Sequence, residues 1–254
     1  APHSEGNVDP QRDLQALDME LLLNDLVVVE KKIEKLTDGL RRGLFKNNKS
    51  EAEAELALFE RLNETLSDER PLRDLDLSDE ELKSLRGYSL LTLKPVMVVA
   101  NIGDDQDEVD FDYDYDLSMV TNLRGKLEME LTQFGAAGDD EALAMFMEEY
   151  GVNELGLDKV IRLSYDLMGL QSFFTVGEDE VRAWTVHRGA TAVDAAATIH
   201  SDLAKGFIRA ETVAYDDLVG VGGLPQARTA GKLRQEGKTY IVQDGDVISI
   251  KFNV

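Results

Sequence analysis

Between Asp13 and Lys46 apolar side chains return every three or four residues: Leu14, Leu17, Leu21, Leu22, Leu26, Val29, Ile33, Leu36 and Leu40. A chain with that spacing puts its apolar groups on one stripe of an α-helix, so the segment is predicted to be one long amphipathic helix. Asp9-Pro10 supplies the start, with proline in the first turn, where its missing N–H costs nothing. A second helix is predicted from Ser50 to Leu66 on Leu56, Phe59, Leu62 and Leu66, with the polar Lys46–Lys49 as the turn. Two such helices joined by so short a loop must pack as an antiparallel hairpin. A structural arm is the plainer reading of it, a partner-binding arm the sharper one; the sequence alone does not separate them.

Downstream the pattern changes twice. Ser78 and Glu81 stand at capping-box spacing and predict a short helix to about Arg86. The run Val96-Met97-Val98-Val99-Ala100 after Lys94-Pro95 reads as a strand buried on both faces, hence a parallel strand of an α/β layer. Helices are expected over 139–150 and 157–170. From Gln171 short β-like runs take over, at 173–175, 181–186, 207–213, 240–242 and 247–252, with an Ala-rich helix over 191–199 and a hairpin-type turn at Asp244-Gly245-Asp246. That mixture is a small α+β module.

The 254 residues carry 50 acids against 27 Lys and Arg, a formal net charge of −23. Such a balance argues against a whole-chain electrostatic grip on nucleic acid or an anionic membrane. The charge is uneven, however. Residues 173–254 hold 11 acids and 9 bases, while the rest hold 39 acids and 18 bases. Any nucleic-acid contact therefore belongs in the last third. There is no cysteine, which excludes disulfides and thiolate chemistry and is compatible with a reducing cytosol. His3, His187 and His200 are too scattered for a zinc site, so no metal ligand is assigned. No apolar run reaches the roughly 20 residues of a membrane helix. The opening Ala1-Pro2-His3-Ser4 is not a signal peptide, and its lack of Met suggests a start partway through a larger protein.

Eight acids crowd into residues 104–116. A calcium loop counted from Asp110 would need glycine at its sixth position and glutamate at its twelfth, where Tyr115 and Thr121 stand, so a solvated acidic loop is expected. No Gly-x4-Gly-Lys-Ser/Thr loop for cradling phosphate occurs; Gly237-Lys238-Thr239 imitates its tail, but Lys232 stands where the first glycine should, and a strand follows instead of a helix. Asn101-Ile102-Gly103-Asp104 is the better signal. It follows a buried strand, the place where open α/β sheets bind ligands, and an amide plus a carboxylate can read a purine edge. Guanine-specific GTPases use Asn-Lys-x-Asp there, and this chain lacks the lysine. No Ser/His/Asp or Cys/His set stands out; His200 near Asp202 reads as a structural hydrogen bond.

Several segments together resemble one family, the Obg-like/YchF P-loop ATPases of the translation-factor-related class. The densest are Phe173-Phe174-Thr175-x-Gly177-x-x-Glu180-Val181-Arg182-Ala183-Trp184-Thr185, Ile199-His200-x-Asp202-x-x-Lys205-Gly206-Phe207-Ile208-Arg209-Ala210, and Ala230-Gly231-Lys232-x-Arg234-x-x-Gly237-Lys238-x-Tyr240-Ile241-Val242-x-Asp244-Gly245-Asp246-Val247 through Phe252-Asn253-Val254. These are similar to that family's TGS domain, a ubiquitin-like β-grasp. Asp9-Pro10-x-Arg12-Asp13 and Glu20-Leu21-x-Leu23-x-Asp25-Leu26 resemble the entry to its helical arm; Pro71-Leu72-Arg73, Leu91-Thr92-x-Lys94-Pro95 and Ala100-Asn101 resemble the return.

The resemblance implies an α/β and α+β chain. It comprises a helical hairpin (coiled-coil) insertion with linkers over 1–88, the C-terminal part of a Rossmann-like P-loop G-domain layer over 89–170, and a TGS domain over 171–254. It implies a cytoplasmic protein that binds ATP or GTP with Mg²⁺, hydrolyses it, and docks on the ribosome or RNA, with neither membrane nor DNA as partner. Asn101 and Asp104 would contact the base; Lys205, Arg209, Lys232, Arg234 and Lys238 would meet RNA or the ribosome, against the plainer reading of a solvated basic surface. The phosphate loop and switch regions would precede Ala1, so no catalytic residue is assigned here. Three departures stand out: Asp104 replaces the family's usual Glu, Arg124-Gly125 replace Ser-Ala before Lys126-Leu127-Glu128, and the acidic loop is unlike the family. A non-catalytic TGS-containing RNA- or ribosome-binding module is therefore the second reading, and an acidic scaffold sharing the fold alone is the third.

Overall fold

The computed structural model describes residues 6–136, 140–152, 154–177 and 180–253. His3, the Ala1–Ser4 start, Asp139 and Val254 lie outside the described residues. The chain forms two compact units, Ala1–Val160 and Ile161–Val254.

In the first unit α1 (Pro10–Arg41) and α2 (Lys49–Ser67) form the expected hairpin. Asp9 caps α1, its carboxylate accepting from Arg12 N–H at 3.1 Å. Leu22, Val29 and Leu36, spaced by seven, are the buried leucine and valine positions of α1, and Leu22 and Val29 share a core with Leu58, Phe59, Leu62 and Leu66 of α2. Leu17, by contrast, is 56% exposed. The seven-residue spacing keeps one seam against the partner helix, so only part of the three–four stripe is used. A 3₁₀ turn at Leu72–Asp74 follows, then α3 (Asp79–Leu85), which starts on the complete Ser78/Glu81 capping box.

β1 (Val96–Asn101) and β2 (Ser118–Leu123) pair in parallel, Val96 opposite Ser118 and Asn101 opposite Leu123. β1 is not buried on both faces: Ala100 is its one buried residue, and Val99 is 39% exposed. Among the described residues the sheet has two strands, too few to enclose it. Helices α4 (Gly125–Ala136), α5 (Asp140–Glu149) and α6 (Gly156–Leu167) follow. Glu128 of α4 accepts the Gly156 N–H at 2.7 Å, which seats a carboxylate on the first turn of α6.

The acidic segment between β1 and β2 is extended. Val109, Phe111, Tyr113 and Tyr115 are half-buried, whereas Asp110, Asp112, Asp114 and Asp116 are exposed. The acids are solvated as expected, but the backbone is tied down. Gln11 exchanges two bonds with the Asp112 backbone at 3.1 and 3.2 Å, and Asn122 exchanges two with Val109 at 2.9 and 3.0 Å.

The second unit is a five-stranded mixed sheet, ordered β4-β3-β7-β5-β6, from β3 (Leu170–Val176), β4 (Val181–His187), β5 (Phe207–Ala214), β6 (Arg234–Glu236) and β7 (Asp246–Phe252). The first and last strands, β3 and β7, are parallel neighbours at its centre, and α7 (Ala192–Ile199) packs Ala192, Ala195 and Ala196 across Phe173, Ala210 and Ile248. This is a β-grasp arrangement. Helices α8 (Ser201–Lys205), α9 (Tyr215–Val221) and α10 (Leu224–Thr229) complete the unit. Residues 240–242 are not a sheet strand: Val242 N–H and Tyr240 C=O are taken by Ala190 C=O and Ala192 N–H, pairing this stretch with the entry to α7. Asp244-Gly245 consequently turns into β7 without making a hairpin, with Gly245 at φ +80°. Gly237–Tyr240 forms a β-turn, closed by Tyr240 N–H to Gly237 C=O at 3.2 Å.

Candidate nucleotide-base site and ribosome-facing surface

Parallel pairing brings the ends of β1 and β2 together, and with them the two segments that follow. Asn101, the last residue of β1, accepts the Gly125 N–H through Oδ1 at 3.1 Å, so it caps the first residue of α4. Its amide NH₂ remains a donor. A Cβ on residue 125 would stand 2.8 Å from that Oδ1, so glycine allows the close approach. Two residues beyond Asn101, Gly103 N–H donates to Gln106 Oε1 at 2.7 Å and Gln106 N–H to Gly103 C=O at 3.1 Å, folding 103–106 into a tight turn that presents Asp104.

Asp104 Oδ2 lies 3.5 Å from Lys126 Nζ, while Oδ1 is buried and without a hydrogen-bond partner. A shielded carboxylate oxygen with no donor is a standing demand for an N–H, and a purine edge supplies one. Ile102, where guanine-specific GTPases carry lysine, is buried. The cation beside the carboxylate comes instead from Lys126 across the strand pair. In the sequence Lys126 stands out only within Lys-x-Glu; its meeting with Asp104 depends on the β1–β2 register. Asn101 lines a cleft of about 750 Å³ with Pro10, Leu14, Val98 and Gln106. A neighbouring cavity of about 270 Å³ is lined by Leu123, Arg124, Gly156 and Lys159; Arg124 Nε is buried there without a partner. Asp104 is on neither lining. Among the described residues no three His, Cys, Asp or Glu side chains gather as metal ligands.

The five basic residues that the sequence assigns to RNA or ribosome contact divide into three kinds. Lys205 is paired with Asp202 at 3.4 Å and Lys232 with Asp217 at 3.2 Å. Arg234 is built in: it donates to Tyr240 Oη at 3.0 Å and to Asp246 Oδ1 at 3.3 Å, and its guanidinium lies over the Tyr240 ring at 5.4 Å. Tyr240 donates to Asp246 Oδ2 at 2.7 Å, and Asp246 is 2% exposed. Burial first, and then the bond to Asp246, push the Tyr240 phenol up to about 12. Arg209 and Lys238 are exposed and have no ion-pair partner among the described residues. His200 caps α8 through Nδ1, which accepts from Asp202 N–H at 3.2 Å. No helix of the described residues is long and apolar enough to cross a membrane.

A family model described as YchF-GTPase_C, protein of unknown function, matches residues 170–253. The chain is 40% identical over 262 residues to the ribosome-binding ATPase YchF of Bacillus subtilis (strain 168) and 41% identical over 259 to that of Escherichia coli O157:H7, covering 99% of this chain and 69% of each relative. The solved structure of the Schizosaccharomyces pombe YchF GTPase superposes with a TM-score of 0.81 at 30% identity, over 98% of this chain and 68% of that one. A GTP-binding protein of Pyrococcus horikoshii OT3 shares the fold, with a TM-score of 0.57 at 22% identity. At 40% identity over nearly all of its length, and over two thirds of each of these relatives, the chain belongs to the YchF family.

Proposed function

We propose that this chain recognises a purine nucleoside triphosphate, ATP or GTP, and couples its binding and hydrolysis to association with the ribosome. The observation that carries the reading is the 40% identity, over nearly all of this chain, to a ribosome-binding ATPase. The geometry fits a purine. Asn101 keeps a free amide NH₂, and Asp104 keeps an unpartnered buried oxygen. A bound nucleotide would bring its Mg²⁺ on the phosphates and supply the phosphoryl group; Asn101 and Asp104 would orient the base, with Lys126 beside Asp104. Basic residues of the β-grasp unit would meet ribosomal RNA.

A second reading is favoured by one fact: no Gly-x4-Gly-Lys-Ser/Thr loop occurs in the 254 residues. In it the chain is a non-catalytic TGS-containing module that docks on the ribosome or RNA without reading a nucleotide. Titration of the chain with fluorescent ATP and GTP analogues, alongside phosphate release and ribosome co-sedimentation, separates the two. Saturable binding lost in Asn101→Ala, with nucleotide-dependent sedimentation and phosphate release, supports the first. Sedimentation with neither binding nor release supports the second. No sedimentation under any nucleotide overturns both.

A further inference from the structure

A cavity of about 450 Å³ lies in the second unit, on the sheet face away from α7. Its apolar lining is Val176, Leu224, Pro225, Leu233, Val247 and Ile248; its polar lining includes Glu211, Arg228 and Lys251. The volume falls within the range of small-molecule sites, which combine an aliphatic lining with a few convergent polar groups.

The charges are unbalanced. Arg228 Nη2 and Lys251 Nζ both converge on one oxygen, Glu211 Oε2, at 3.3 and 3.4 Å, longer than a tight charge-assisted pair. Glu211 is 13% exposed, so one largely buried carboxylate serves two cations. A third cation stands on the same face. Arg209 is two residues before Glu211 on β5 and is the direct cross-strand partner of Lys251 on β7, just past a bulge. Two like charges opposite each other on neighbouring strands cost stability, and Arg209 has no ion pair among the described residues. A sequence that keeps such a local conflict beside a cavity marks a site where something else supplies the missing charge. Three cations against one carboxylate leave a surplus of two, the charge of a phosphomonoester near neutral pH.

We propose that this cavity is a second ligand site, distinct from Asn101 and Asp104, that takes a phosphomonoester. Its apolar body lies against Val176, Leu224, Leu233 and Val247, and its phosphate is held by Arg209, Arg228 and Lys251. Four of the six apolar lining residues are valine or leucine, so methyl-labelled NMR on the full chain reads the site directly. Phenyl phosphate is the probe and inorganic phosphate the control. Phenyl phosphate should shift these four methyls saturably and bind about tenfold more tightly than inorganic phosphate, because only it carries an apolar body to bury. Lys251→Gln and Arg228→Gln, both at solvent-reached side chains, should each weaken it by about tenfold; Asn101→Ala should leave it unchanged. A 5′-phosphorylated oligonucleotide that displaces phenyl phosphate, where its unphosphorylated twin does not, would give the site a nucleic-acid terminus as its source; displacement by neither supports a free small molecule. Unmoved methyls, equal affinity for the two phosphates, or undiminished affinity in both glutamine variants overturns the proposal.

Discussion

Thr92 meets Asp25 twice: its backbone N–H and its hydroxyl both donate to Asp25 Oδ2, each at 2.7 Å, while the neighbouring Leu91 N–H donates to Oδ1 at 2.8 Å. Both residues are buried, at 1% and 2% exposure. Thr92 Oγ1 in turn accepts from Leu72 N–H at 3.3 Å, and Thr92 C=O accepts from Arg73 N–H at 3.1 Å. A single carboxylate on α1 thus fixes where the chain leaves the hairpin and enters β1. Asp25→Ala strands two buried N–H groups and a hydroxyl and should lower unfolding free energy by at least about 2 kcal/mol. Asp25→Asn keeps acceptor capacity at one oxygen and should cost less. Urea unfolding of the two variants checks the order; equal, negligible losses would contradict it.

Arg73 carries the same network toward the acidic segment. Its Nη2 donates to Tyr113 Oη at 2.7 Å, its guanidinium lies 5.8 and 5.4 Å from the Tyr113 and Tyr115 ring centres, and Tyr113 donates to Asp18 at 3.2 Å. Burial is the main cause that pushes the Tyr113 phenol up to about 12, opposed by Arg73 and reinforced by Asp18. A phenol that ionises near 10 in the unfolded chain and near 12 in the fold contributes stability that is complete below about pH 10 and lost as pH rises toward 12. Tyr113→Phe and Tyr240→Phe should each remove part of a late phase in the phenolate absorbance titration of the native protein. A titration that ends near pH 10 without a late phase would contradict both.

Gly156 opens α6 where nothing larger fits. A Cβ there would stand 2.0 Å from Leu123 Cδ1 and 2.8 Å from Glu128 Cδ. Gly156→Ala should cost about 1–3 kcal/mol through overpacking, despite alanine's higher helix propensity. Glu128→Gln keeps an acceptor for Gly156 N–H but loses the charge at the helix start, about 0.3–1 kcal/mol. Thermal unfolding of the pair tests the assignment; a stabilised Gly156→Ala would show that Leu123 gives way.

How much of this was legible follows from how local each signal is. The hairpin, the Ser78/Glu81 cap and the ends of β3, β4 and β5 are written in short-range spacing, and they stand within a few residues of expectation. The place of Asn101 at the end of β1 was legible because the apolar run that ends there is. Lys126 and Gly125 gained their roles only through the parallel register of β1 and β2, which no spacing rule encodes. The acidic segment misled in part: its alternation of Asp with Phe111, Tyr113 and Tyr115 is a period-two signal, but eight acids obscure it. Residues 240–242 looked like a strand by composition and pair outside the sheet because Ala190 and Ala192 take their backbone groups. Arg234 looked like a surface base because sequence gives no sign that Asp246 is buried beside it.

The candidate basic residues of the β-grasp unit are of three kinds. Arg234 neutralises a buried carboxylate, so Arg234→Met should destabilise the fold by about 1–3 kcal/mol, and any loss of ribosome association should track unfolding. Arg209 and Lys238 are exposed and have no ion pair among the described residues, so Lys238→Glu and Arg209→Glu should leave the unfolding midpoint nearly unchanged. If the unit docks on RNA, each reversal should weaken ribosome co-sedimentation and flatten its dependence on salt, since each phosphate contact contributes about one unit to the slope. Lys205 and Lys232, already paired with Asp202 and Asp217, should show smaller effects. Unchanged sedimentation and an unchanged salt slope in the Arg209→Glu/Lys238→Glu double variant would take RNA docking away from this surface and leave its charges as solvation.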